Sequence, residues 1–219
     1  MCFSESQSYI NTFILSGISY YFINKEWKIA LPAAFLASKD LLQGLLYRYH
    51  NDKYISKVIA ILSWINISFQ PLVINIFLSY FDNNNKQYWN VIFLALFIFG
   101  CYYITTLSVF DIQNDEDCNN DNSDFCSDTD GAYIGKYHIA YKFKTELGYI
   151  SIPIILMILP ALFTKAWKLS LIWLFFIVLI ATIFNKNVVR NGELGAIWCF
   201  LSIIPFIPIV YYRSYFKKL

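Results

Sequence analysis

Seven apolar segments, most of them about as long as a bilayer is thick, constrain this chain more than any other feature. A hydrocarbon core about 30 Å thick takes about 20 mostly apolar residues per helix. That length picks out spans at Gln7 to Ile23, Ile29 to Tyr47, Lys57 to Tyr80, Tyr88 to Phe110, Leu147 to Phe163, Trp167 to Phe184 and Leu194 to Tyr212. Short polar punctuation separates them: NKEWK, RYHNDK, DNNNK, TKAWK and NKNVVRNGE. Tyr and Trp gather at the expected ends, at Trp27, Tyr47, Tyr88, Trp89, Trp167 and Tyr211, as an interfacial belt requires. With 58% apolar, 20% aromatic and only 15% charged residues, the 219-residue chain lacks the charge a soluble domain of this size would carry.

One stretch could not lie in a bilayer. In Asp111 to Glu146 the first half, DIQNDEDCNNDNSDFCSDTD, holds eight carboxylates and no Lys or Arg, and the second half, GAYIGKYHIAYKFKTE, is basic and aromatic. The expected fold class is therefore all-α: one integral membrane bundle of seven transmembrane helices over residues 1–219, with 111–146 an exposed loop between helices four and five. The N-terminus has no positive region and no small-residue cleavage site before its apolar run, so the first span is expected to be retained. Parity then brings the N-terminus, the loop after span two, the acidic loop and the loop after span six to one face.

Lys and Arg in the short loops set the orientation. Arg48, Lys53, Lys57, Lys186 and Arg190 lie on the N-terminal side; Lys25, Lys28, Lys86, Lys165, Lys168, Arg213, Lys217 and Lys218 lie on the other. The bias predicts an N-terminus and acidic loop outside or lumenal, with the C-terminus cytosolic. No basic patch points to nucleic acid.

Polar side chains inside a span cost several kcal/mol, about 2–7, when unpaired, so they face a bundle interior or a wet cavity. In the second span Lys39 and Gln43 share a helix face and Asp40 lies about 100° round, all expected one to two turns from the end. In the third, Asn66 and Gln70 share a face beside Pro71, which removes a helical hydrogen bond. Glu193 opens the seventh. These residues can hold a small polar solute, an ion or a lipid headgroup; equally, they can bridge helices. His138, one of two histidines, sits in an amphipathic stretch before span five as a proton-handling or headgroup-contacting group, or as an ordinary interfacial side chain.

A thiol enzyme is the alternative, with Cys2 as nucleophile, His138 as its base and Glu5 or Glu193 in support. Cys118 and Cys126 are close enough in sequence for a disulfide in an oxidising space, with metal binding and free thiols the open alternatives. No spacing fits a metal site, and Walker, G-x-S-x-G and dinucleotide motifs are missing, so neither metal nor cofactor is expected. The seventh span has no Lys for a retinal Schiff base.

Taken in order, MCFSESQSYINT, LPAAFLASKDLLQGLLY, LSWINISFQPLVINIF, GKYHIAYKF and GAIWCFLS resemble a family of multi-pass membrane proteins from large DNA viruses, with a more distant bacterial group that also begins MCFS. The resemblance covers nearly the whole chain. It implies a role for Cys2, Ser4, Gln43, Gln70, His138, Trp198 and Cys199, a viral or infected-host membrane as the location, and no particular activity. A structural or interaction protein of such a membrane is the third reading.

Overall fold

A computed structural model describes residues 4–82, 84–105, 132–134, 139–141, 151–172 and 174–175. In chain order they form α1 (Glu5–Phe22), α2 (Trp27–Tyr49), α3 (Lys53–Leu78), α4 (Lys86–Thr105), β1 (Ala132–Ile134), β2 (Ile139–Tyr141) and α5 (Ser151–Leu162). A 3-10 turn, Ser79–Phe81, ends α3, and residues 167–172 and 174–175 are again helical. The expected spans six, in its second half, and seven lie outside the described residues, as does most of the acidic insertion.

Among the described residues three helices are long and apolar enough to cross a membrane: Trp27–Tyr49, Tyr54–Phe81 and Lys86–Thr105. The 23 residues of α2 alone rise about 34 Å. The 18-residue α1 occupies the place of the expected first span without being among the three, and its polar residues Gln7, Ser8, Asn11, Thr12, Ser16 and Ser19 account for that. With 12 residues, α5 is shorter than its expected span. The insertion is not wholly irregular. Its β1 and β2 pair antiparallel, with Tyr133 opposite Ala140, and the hairpin packs β2 against α2 and β1 against α3.

Local chemistry sets the helix starts. Ser4 caps α1 by accepting from the Gln7 amide at 3.3 Å, and Asp52 caps α3 by accepting from the Ile55 amide at 2.9 Å. The connections 23–26, 50–52 and 82–85 are short, so α1 to α4 pack in sequence, each on the next.

Small residues bring α1 and α2 together. Ala30, Ala33, Ala37 and Gly44 recur at helical spacing on α2, and α1 hydroxyls reach the backbone there: Ser19 Oγ donates to Ala30 O at 2.9 Å and Thr12 Oγ1 to Ala37 O at 3.4 Å. A Cβ on Gly44 would sit 2.9 Å from the Tyr9 ring. Gly100 does the same for α3 and α4, since a Cβ there would lie 2.7 Å from the Phe69 ring and 3.1 Å from Ser68 O.

The apolar interior divides into two clusters. One gathers Leu15, Phe22, Leu36, Ile74, Phe77, Trp89, Met157 and Ile158 from all five helices; the other gathers Leu46, Ile59, Trp64, Ile67 and Tyr103 from α2 to α4. In the second cluster the Trp64 and Tyr103 rings stack at 4.9 Å.

Docking of α5 depends on its proline. Pro160 has no amide hydrogen to give, which leaves the Leu156 carbonyl without its helical donor. Asn75 Nδ2 of α3 donates to that carbonyl at 2.9 Å, and Tyr88 Oη of α4 donates to Pro160 O at 2.7 Å. Asn75→Leu strands a buried carbonyl, so we expect it to cost about 1–3 kcal/mol and to lower the melting temperature in detergent. Gly100→Ala should also melt earlier, because both its ring and backbone neighbours on α3 must move; circular dichroism melts of the two variants check both expectations.

Candidate functional site

Between the two apolar clusters lies a layer of buried polar side chains. Lys39, Asp40 and Gln43 on α2 are 1–2% exposed, and Ser63, Asn66 and Gln70 on α3 are 0–6% exposed. Because α2 runs on to Tyr49, Lys39 and Asp40 lie about 14–15 Å from its end, between two and a half and three turns. They are deeper than the one to two turns expected from the sequence; only Gln43 is within that distance. Residue 38 is the midpoint of α2, so the layer is at mid-helix depth.

Helix geometry distributes these groups over different flanks. Asn11 of α1 donates to the Asp40 carboxylate, and Gln7 Nε2 donates to Asn11 Oδ1 at 2.9 Å. Asp40 therefore faces α1. Asn66 Nδ2 of α3 instead donates to Ser38 Oγ at 3.0 Å and to Phe35 O at 3.3 Å. Ser38 is about 200° from Asp40 around α2, so Asp40 and Asn66 lie on opposite flanks of that helix. Lys39 and Gln43, about 40° apart, occupy the arc between the flanks. The five candidates share a layer without all turning to one point.

A second stripe descends α3. Ser56, Ser63 and Gln70 are spaced by seven, which returns each to within about 20° of the last. All three are buried, from the second turn of α3 down to the polar layer. Five atoms of the layer and stripe have no hydrogen-bond partner among the described residues: Asp40 Oδ2, Gln43 Nε2, Ser56 Oγ, Ser63 Oγ and Asn66 Oδ1. Lys39 interacts electrostatically with Asp40.

The α1 residues Gln7 and Asn11 and the serines of α3 were not singled out in the sequence, although the four-residue spacing of the first pair and the seven-residue spacing of the serines are legible there. At the other end of the bundle, Asp82 is 1% exposed and organises the corner into α4. Asn85 Nδ2 donates to its Oδ2 at 2.8 Å, Trp89 Nε1 donates to its carbonyl at 3.2 Å, and Lys28 Nζ donates to Ser79 O at 3.3 Å. That corner is a closing contact between helices.

Cys2, Cys118, Cys126, His138, Glu193, Trp198 and Cys199 lie outside the described residues. The hairpin that flanks His138 does rest on α2 and α3, the helices that carry the polar layer. Among the described residues no group of three His, Cys, Asp or Glu could hold a metal ion.

Removing an unpaired buried polar atom relieves a desolvation penalty of about 1–3 kcal/mol. Gln43→Met and Ser63→Ala are therefore expected to raise the melting temperature of the full chain in detergent. A fall in both would mean that these atoms are satisfied in the folded protein.

Residues 8–218 match the model of a protein family described as a family of unknown function (DUF5765). No curated protein and no solved structure matches the chain.

Proposed function

Since the chain belongs to that family of unknown function, we propose a role from the site itself: a multi-pass membrane protein that binds or transports a small polar solute, ion or lipid through an intramembrane polar pocket. One observation carries the reading. Five buried polar atoms at mid-depth and along α3 lack hydrogen-bond partners, where each costs about 1–3 kcal/mol. A site that meets a polar ligand recovers that cost on binding; a purely structural layer has no such return.

In this reading the chain crosses the bilayer seven times. Lys39, Gln43 and Gln70 are the central contacts, Asp40 and Asn66 are the flanking ones, and the hairpin with His138 and Glu193 closes the aqueous end. The N-terminus and acidic segment lie outside or in the lumen, the C-terminus lies in the cytosol, and the membrane is that of a virion or infected host. A structural or interaction protein is the competing reading, favoured by the Nδ2 groups of Asn66 and Asn75, each of which ties two helices. A thiol enzyme needs Cys2 and His138 within hydrogen-bond reach of each other.

The test begins with the full chain in lipid nanodiscs, where bound small molecules and lipids are identified by native mass spectrometry. Thermal shift then measures stabilisation by small cations, amino acids and lipid headgroups. Lys39→Met and Gln70→Leu should fold and weaken the response at least tenfold. An undiminished response in both variants would refute the pocket, and folded variants of a protein that responds to nothing would favour the structural reading.

A further inference from the structure

Asp40 is set apart from the rest of the polar layer. Its side chain is 2% exposed at mid-depth of a span-length helix, and it faces α1 across a stripe of small residues. One carboxylate oxygen is held by Asn11, and Oδ2 has no partner among the described residues. Behind Asn11 stands Gln7, half-buried in the first turns of α1, so a line of side-chain hydrogen bonds runs from the end of the bundle to the carboxylate.

An ionised carboxylate in this position keeps half of its acceptor capacity unused in a low-dielectric medium. A proton on Oδ2 removes the charge and turns that oxygen into a donor. Both forms can be accommodated. The ionised form has the Asn11 amide and the charge of Lys39 beside it, and the neutral form has a packed interface with no counter-charge on α1 opposite. The other groups around this contact are few. From α1 they are Tyr9, whose ring lies against Gly44, and Glu5 in the first turn; on α2 itself there is Lys39. On the other flank of α2, α3 offers the neutral Ser63, Asn66 and Gln70. Among the described residues no second carboxylate shares the layer.

Resting on the pocket reading above, we propose that Asp40 is the proton-binding residue of this membrane domain, and that it exchanges one proton at Oδ2 with the aqueous face on which α1 begins. Protonation adds H⁺ to Oδ2 and removes the negative charge that stands beside Lys39. Release returns that H⁺ to water. Ligand occupancy and proton occupancy are then linked through a shared charge balance, because Lys39 and Gln43 lie on the same helix turn as Asp40. A cationic ligand favours the ionised carboxylate; an anionic one favours the protonated acid.

The experiment is infrared difference spectroscopy of the full chain in nanodiscs over a pH series, read at the carboxylic acid C=O stretch. The expected result is a titrating band from a dehydrated acid that disappears in Asp40→Asn. Asn11→Ala should move the pH at which the band appears, since it removes the Asn11 donor to the carboxylate, whereas Thr105→Val, at the exposed end of α4, should leave it in place. If Asp40→Asn fails to fold, the Asn11→Ala comparison decides alone. No titrating band, a band that survives Asp40→Asn, or a band that ignores Asn11→Ala overturns the proposal. Loss of the proton site with ligand stabilisation intact would leave the pocket standing. A titrating Asp40 in a protein that no ligand stabilises would instead remove the pocket.

Discussion

The fold depends on a polar layer held at mid-depth between two apolar clusters. A bundle stabilised only by packing would fill this level with Leu and Ile; this one places Lys39, Asp40, Gln43, Ser63, Asn66 and Gln70 there. Groups of this kind are tolerated in a membrane only where protein surrounds them. That condition fixes which faces of α1, α2 and α3 turn inward. The neighbouring helices answer it with small residues and hydroxyls, and α1 in particular gives up hydropathy in order to supply Asn11 and Gln7 to α2.

Two asparagines illustrate how differently the same side chain can serve. Asn75 completes a helix that proline has interrupted, and its Nδ2 answers the carbonyl that Pro160 leaves exposed on α5. Asn66 bonds Ser38 and Phe35 O through its amide nitrogen while its oxygen stays unused. The first is a joint between helices. The second joins α2 to α3, and in both asparagines Oδ1 has no partner among the described residues.

Much of this was legible in the sequence. Hydropathy located α2, α3 and α4, because each is a long apolar run bounded by charged residues. The polar residues of α2 and α3 stood out as costly. Depth and direction were harder to read. Two additional residues at each end of α2 put Lys39 and Asp40 farther from its end with the midpoint unchanged at residue 38, and the placement of Asp40 on the α1 side came from the Ala and Gly stripe, a packing feature that hydropathy ignores. Gln7 and Asn11 escaped notice because a polar residue near the start of a span looks like part of its aqueous end. The hairpin in the acidic insertion is set by strand pairing, which composition alone does not encode.

The short connections between successive helices also bear on how the protein is made. Contacts between α1 and α2, α2 and α3, and α3 and α4 are all local in sequence, and local contacts form quickly. Each helical pair can close without the helices that follow it, so Asp40 can meet Asn11 with α1 and α2 alone. The dock of α5 on α3 is different: Asn75 and Leu156 are 81 residues apart in sequence, so their contact closes a long loop. That joint is therefore expected to form after the contacts among α1 to α4.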